Sequence, residues 1–260
     1  MKGEFIMGKT RANYNWKNTG FPVVYDKTTT ESIVPMFPVV FYDDFLGGDI
    51  VLPATGTVES GCPWSTLIVA NGTAAKVGDA INGVVQLALT AANEAQIAVL
   101  DWNDQESLSL EQGLIFEARI AMSVLPTVGT EGSQAVFGIA GAHNATLDTV
   151  DCKAWFKIES AANTALLWEV DDNVTPDLDN DASTVLVAGT YHIYRIDATS
   201  IAAVKFYVDG VLVGTASMAG LTGVIGKVQP YFNVSKAHTT TSTGLGTMLI
   251  DYVKIFQDRS

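Results

Sequence analysis

The sequence predicts an all-β protein made of two packed sheets, and three observations carry that prediction. Short apolar runs recur along most of the chain, separated by Gly, Asn, Asp and Thr, which is the spacing of a sandwich and not of a strand–helix series. Several runs alternate with a period of two, so that one side is apolar and the other wet. The composition is 48% hydrophobic and only 17% charged, with 23 Gly, as turn-rich β-proteins require and disordered chains do not allow. At 260 residues one main domain is expected.

Residues 1–36 show neither strand alternation nor helical periodicity. They nevertheless hold Phe5, Tyr14, Trp16, Phe21 and Tyr25, and a plain disordered tail is poorer in aromatics because it has nothing to pack them on. The expectation is an extended N-terminal arm whose Arg11, Tyr14, Trp16, Phe21 and Tyr25 contact a partner, the alternative being a passive tail or a local packing strand. The main domain then covers residues 37–260, starting near MFPVVFYDDFLGG, where Pro35 and Pro38 stiffen the entry.

Strand candidates follow in order: STLIVA, VVQLALT, AQIAVL, LIFEARIAM, QAVFGIAGA, AWFKIES, ALLWEV, STVLVA, YHIYRIDA, VKFYVDG, VLVGTAS, VQPYFNVSK and TMLIDYVKIF. In LIFEARIAM, Leu114, Phe116, Ala118, Ile120 and Met122 share a face while Glu117 and Arg119 point away. Asp209 and Gly210 supply the positive φ angles of a tight hairpin turn between Val208 and Val211. In the last strand a strict period of two groups Leu249, Asp251, Val253 and Ile255 against Met248, Ile250, Tyr252, Lys254 and Phe256. Both groups are largely apolar, so this strand is expected to be covered on two sides.

The net charge is −13, which excludes a purely electrostatic grip on nucleic acid or on an anionic membrane. Residues 1–34 alone carry +2, five basic residues against three acidic ones, which leaves −15 for the body. Cys62 and Cys152 sit in no metal-ligand spacing, and the pair reads as two buried thiols or one disulfide. The N-terminal MKGEFIMGKTRANYNWK has no apolar stretch of signal-peptide length and no run in the chain approaches the roughly 20 residues that span a bilayer, so a soluble protein made in the cytoplasm is expected.

Once aligned in order, LIFEARI, AVFGIAG, AWFKIE, LLWEVDD, YHIYRID, VKFYVDGVLVG, QPYFNVSK and MLIDYVKIFQDR resemble the concanavalin A-like jelly roll, in the laminin-G-like form found in structural proteins of tailed phages. The similarity covers roughly Phe41 to Arg259, and FYVDG and IDYVKIF are its most specific pieces. The resemblance implies an all-β, concanavalin A-like jelly-roll β-sandwich. It also implies a non-enzymatic virion component on the capsid surface: a decoration or cement protein bound to the major capsid protein, homo-oligomeric, with a trimer favoured over a dimer. The alternative is a glycan-binding, lectin-like domain of a tail fibre or adhesin. A superfamily this broad in function fixes fold better than activity.

Reactive motifs are scarce. Sandwich glycosidases of this superfamily place two carboxylates on one strand as E-x-D-x-x-E or E-x-D-x-E, and a retaining pair stands about 5 Å apart. Glu169 and Asp171 match the start, but Asn173 and Val174 stand where the second Glu belongs. Asp177, Asp179 and Asp181 follow the spacing of a calcium loop, a weak metal candidate, since Ala182 and Ala188 replace the expected Gly and Glu. His143, His192 and His238 are isolated from one another, and no G-x-S-x-G elbow is present. Trp64, Trp102, Trp155 and Trp168 read as core residues, with a sugar-stacking platform as the alternative. No catalytic residue and no cofactor is expected.

Overall fold

The computed structural model describes residues 39–46, 52–57, 62–126, 132–159, 165–221, 226–237 and 245–258, together with the backbone of four short segments between residues 4 and 34. Those segments are strands β1 (Glu4–Met7), β2 (Thr10–Asn15), β3 (Val23–Asp26) and β4 (Ser32–Val34), paired antiparallel in chain order. Among the described residues they pair with one another and with no strand of the sandwich. Where the sequence shows no strand period, the backbone thus builds a small meander. Thr10–Asn15 lacks apolar alternation, and backbone pairing leaves no such trace. Arg11 and Tyr14 fall on β2 and Tyr25 on β3, while Trp16 and Phe21 lie outside the described residues.

The remaining strands are β5 (Val39–Asp43), β6 (Ser65–Val69), β7 (Thr73–Lys76), β8 (Val85–Ala88), β9 (Gln96–Asp101), β10 (Leu108–Ser109), β11 (Leu114–Val124), β12 (Ser133–Ala140), β13 (Lys153–Glu159), β14 (Ala165–Asp171), β15 (Asp177–Val185), β16 (Tyr191–Ala198), β17 (Val204–Val208), β18 (Val211–Ala216), β19 (Lys227–Lys236) and β20 (Thr247–Gln257). The first sheet runs β15-β14-β13-β12-β19-β9-β6, with β10 also on β19. The second runs β18-β17-β16-β11-β20-β8-β7, with β5 also on β20. These two antiparallel sheets pack face to face as a concanavalin A-like jelly roll.

The core lies between the sheets. Leu114, Phe116, Ala118, Ile120 and Met122 of β11 all point into it, as their alternation predicts. Phe137 meets Tyr194 at 4.6 Å between ring centroids, Tyr194 meets Phe156 at 5.1 Å, and Phe156 meets Phe206 at 5.3 Å. Trp168 stacks on Phe206 at 5.0 Å, and Trp64 packs against Phe232. The Trp64 indole N–H donates to Asp43 at 2.6 Å, so the DD of YDDFLGG anchors the first tryptophan of the domain. Trp64, Trp155 and Trp168 are buried and Trp102 is half-buried against Phe41 and Trp64, so the four do not form an exposed platform. The cysteines are both free thiols, with Cys152 buried and receiving a hydrogen bond from the Asn173 amide. Burial pushes the Cys152 thiol up to about 11.

The last strand departs from the strict alternation. Arg119 pairs with Tyr252 but the next residue, Ile120, pairs with Ile250, so Asp251 is an extra residue and the ladder bulges there. Met248, Ile250, Val253 and Ile255 therefore share the core face, and Tyr252, Lys254 and Phe256 take the outer one. The strand is covered on both sides as expected, but with a different set on each.

The acidic run around residues 171–183 also differs from its reading as a loop. Asp177, Asp179 and Asp181 lie on β15, an edge strand of the first sheet, broken by register shifts and by positive φ at Asp179 and Ser183. At the same lateral edge the second sheet ends in β18, whose Val211 and Leu212 are 64% and 51% exposed.

Gly214 of β18 lies against Trp168, and a Cβ there would stand 2.4 Å from the indole. The ring is stacked on Phe206, so any retreat disturbs that contact. Gly214→Ala is expected to cost about 2 kcal/mol and to lower the melting temperature by about 4–8 °C, while Thr215→Ala, on an exposed neighbour, stays within about 0.5 kcal/mol. Thermal or denaturant unfolding checks both.

Candidate functional site

A sandwich has two outer faces, and here they differ. On the first sheet, cross-strand register builds one transverse row. Ser65 opposes Asp101, Tyr231 opposes Gly138, Gly138 opposes Trp155, and Trp155 opposes Glu169. Tyr231 stands beside Asp101, one step along from the Phe232–Leu100 pair. The rings of Trp155 and Tyr231 stack at 5.9 Å, and His143 continues the stack at 6.0 Å. Aromatic rings and two carboxylates are among the groups that line saccharide clefts.

This row is closed, however. The loop between β12 and β13 lies over it, with Leu147 and Val150 packed on Trp155 and Tyr231. The Lys153 ammonium donates to the carbonyls of Leu147 and Asp148, at 3.2 and 2.8 Å. The His143 backbone N–H donates to Asp104 at 2.7 Å, and Gln229 ties Asp104 to the Gly141 carbonyl. Inside, the Asn233 amide donates to the Tyr231 hydroxyl, which sits 2.6 Å from His143 Nδ1. Burial lowers the pKa of His143, which favours the neutral ring in this contact. Trp155, Tyr231 and Glu169 are each 0% exposed.

The two carboxylates of the row do not make a hydrolytic pair. Asp101 and Glu169 are four strand spacings apart, about 19 Å, far beyond a retaining or inverting separation. Glu169 does have a close acidic neighbour, Asp179, but Lys157 fills the gap. The Lys157 ammonium contacts Glu169 at 2.9 Å, Asp179 at 2.7 Å and Glu159 at 3.1 Å. Burial works against this charge, yet Asp179 and Glu169 hold the ammonium above its ordinary pKa. Burial raises the pKa of Glu169, with Lys157 and the Trp155 indole opposing it. The arrangement is an ion cluster of one ammonium among three acids, and the ammonium stands where a sugar ring would have to lie between Glu169 and Asp179. Of the E-x-D start, Glu169 belongs to this cluster, and Asp171 stands 4.0 Å from Lys153. Asp177 accepts from the Asn180 amide and Asp181 from the Ser183 N–H, so the three aspartates of the calcium spacing serve different partners. The missed residues are Lys153 and Lys157. Their signal is a pair of cations placed two residues either side of Trp155 in an otherwise apolar strand.

The outer face of the second sheet is different in kind. Register lines up Tyr42, Lys254, Glu117, Arg195, Tyr207 and Leu212 across six strands, a stripe of about 24 Å. Its β11–β20 centre is buried, with Lys254 3.6 Å from Glu117 and 4.3 Å over the Tyr252 ring. Its β16–β18 end is accessible. There Arg195 lies 4.2 Å over the Tyr207 ring, and Arg119 lies 4.3 Å over the Tyr191 ring while paired with the bulge residue Asp251. Both tyrosines are half-buried, held under their guanidinium groups. Ile193 lies beside Arg119, and the Asp209 carboxylate receives the Ile193 N–H and His192 at the hairpin tip.

No protein-family model and no curated protein matches this chain. Among solved structures it is similar to a protein of unknown function from Shewanella oneidensis MR-1, at 15% identity and a TM-score of 0.52, over 83% of this chain and 85% of that one. It is equally similar, at 14% identity and a TM-score of 0.52, to a structure from work on endo-acting O-glycanases that human gut bacteria express to initiate mucin breakdown, over 84% of this chain and 99% of that one. A weaker likeness, with a TM-score of 0.48 and 9% identity over 76% and 89% of the two chains, is to the carbohydrate recognition domain of Emp46p. At these identities the first two likenesses establish the sandwich fold.

Two expectations follow. Lys157→Met removes the cation shared by Glu169 and Asp179 and is expected to cost about 3–5 kcal/mol at pH 7, and less near pH 4, where the carboxylates can protonate. Asp101 sits in a buried site that pushes its pKa up to about 6. Between about pH 4 and about pH 6 the folded protein therefore holds a proton that the unfolded chain has released, and this group makes stability fall as pH rises through that window. Asp101→Asn should flatten that slope and gain of order 2 kcal/mol at pH 7, read from unfolding curves at several pH values.

Proposed function

We propose that this protein is a non-catalytic, glycan-binding domain of lectin-like type, acting through the outer face of its second sheet. One observation carries the reading: the β16–β18 end of that face presents Tyr191 and Tyr207 half-exposed under Arg119 and Arg195, while the aromatic row of the opposite face is covered by the β12–β13 loop and Lys157 stands between its acids. Hydroxyl-rich ligands suit such a surface, because phenol and guanidinium groups offer hydrogen-bond donors beside apolar ring edges. Hydrolysis has no support from the Glu169–Asp179 pair, since Lys157 occupies the space a substrate would need. The O-glycanase likeness contributes fold and nothing about activity.

Capsid decoration is the second reading. It needs residues 1–36 as a segment offered to a neighbouring subunit, and their described backbone forms a four-stranded meander of its own, separate in pairing from the sandwich. The accessible tyrosine–arginine end of the second sheet puts the glycan reading first.

Applied to an array of host and bacterial-surface glycans, the full chain is expected to bind a restricted set with a Kd below about 1 mM and to leave every one of them uncleaved. Silence across the array, together with tight binding to empty phage heads that is lost on deleting residues 1–36, would move the assignment to decoration.

A further inference from the structure

We infer that the ligand is an uncharged oligosaccharide lying along the β16–β17 strands across the two tyrosine–arginine clamps, and that its binding needs no metal ion. This deepens the glycan reading and rests on it.

The first argument is spacing. Tyr191 is on β16, and Tyr207 is on β17 opposite Arg195, four residues further along. Four residues of strand and one inter-strand step put the two rings about 14 Å apart, the reach of about three sugar rings. Between them lies Ile193, 9% exposed, and beyond Tyr207 lies Leu212, 51% exposed and directly opposite it in register. The path therefore alternates hydrogen-bonding clamps with small apolar surfaces. The faces of a pyranose, apolar C–H groups ringed by hydroxyls, have the same alternation.

The second argument is charge. On this face Arg119, Arg195, Lys205 and Lys254 are matched by Glu117, Asp197, Asp251 and the turn residue Asp209. Arg119 is already paired with Asp251, and Asp197 is the neighbour of Lys205 in register. No surplus positive charge is left to seize a sialate or a sulfate, and the protein as a whole, at −13, repels anions at long range. The acids here are engaged with protein partners. Asp209 accepts from Ile193 and contacts His192, and Asp197 accepts from Thr199. A calcium-bridged sugar, which needs free carboxylates, has nothing to hold it here, and specificity must come from neutral donors and apolar contact.

The test uses the full chain and a matched series of neutral, sialylated and sulfated oligosaccharides of increasing length, by calorimetry with and without EDTA. Affinity is expected to rise up to about three sugars and then level off, to be unchanged by EDTA, and to fall when a terminal sialate or sulfate is added. Tyr191→Ala and Tyr207→Ala are each expected to weaken binding at least about tenfold. Leu212→Asp changes a side chain on the open rim, so folding is preserved, and it should weaken binding about fivefold or more even if a tyrosine variant does not fold. Binding of neutral glycans with all three variants within about twofold of the parent, or preference for the charged members of the series, or loss on EDTA treatment, overturns this inference and leaves the glycan reading standing. Failure to bind any member of the series or of the wider array overturns both.

Discussion

A β-strand has two sides, and which residues reach each side is settled by counting along the ladder. In β20 the count is changed by one residue. Asp251 has no partner of its own opposite β11, and everything after it in the strand is shifted to the other side relative to a regular ladder. That shift brings Val253 and Ile255 into the core beneath β11 and sends Tyr252 and Lys254 outward to meet Glu117. It also places the Asp251 carboxylate beside Arg119, which is in turn held over Tyr191. The hydrophobic interior and the organised outer face of the second sheet therefore depend on the same local irregularity.

The two outer faces solve one problem in different ways. Charged groups near a buried surface must find partners, because desolvation otherwise costs more than attraction returns. The first sheet meets this requirement inwardly, gathering Glu159, Glu169 and Asp179 around Lys157 and closing a loop over the aromatic row. The second sheet meets it laterally, spreading cations over tyrosine rings and pairing them along the strands. The first solution fills the space in which a ligand could sit. The second leaves the rings at the surface, each held under a guanidinium group, which would lower the ordering cost of the proposed contact.

Much of the fold is legible in the sequence. The alternation of β11 places its inward residues correctly, and Asp209–Gly210 makes the hairpin turn with positive φ at both positions. What is not legible is whatever breaks a regular count or relies on backbone alone. The bulge at Asp251 leaves no mark in a strand that is apolar on both sides, so parity there could be read either way. The acidic residues of β15 look like a loop because edge strands tolerate charge and bulges, and β2 has no apolar period to find. Of the site, Glu169 was visible as half of a catalytic pattern, but its meaning came from Lys157, twelve residues earlier in the chain and on the adjacent strand. The clamps were visible only as scattered Arg and Tyr, since their pairing depends on register between β11, β16 and β17.

The lateral edge where β15 and β18 end together has one more bearing on the molecule. β18 offers an uncharged, valine-rich rim of the kind that recruits another chain, yet its neighbour in the opposite sheet carries exposed Asp177, Asp179 and Asp181. Any two copies brought edge to edge would face each other acid against acid within a Debye length of about 8 Å, and the repulsion acts before the backbones can zip together. The apolar rim of β18 is thus guarded by charge on the neighbouring sheet, with no proline or covering loop needed on the strand itself.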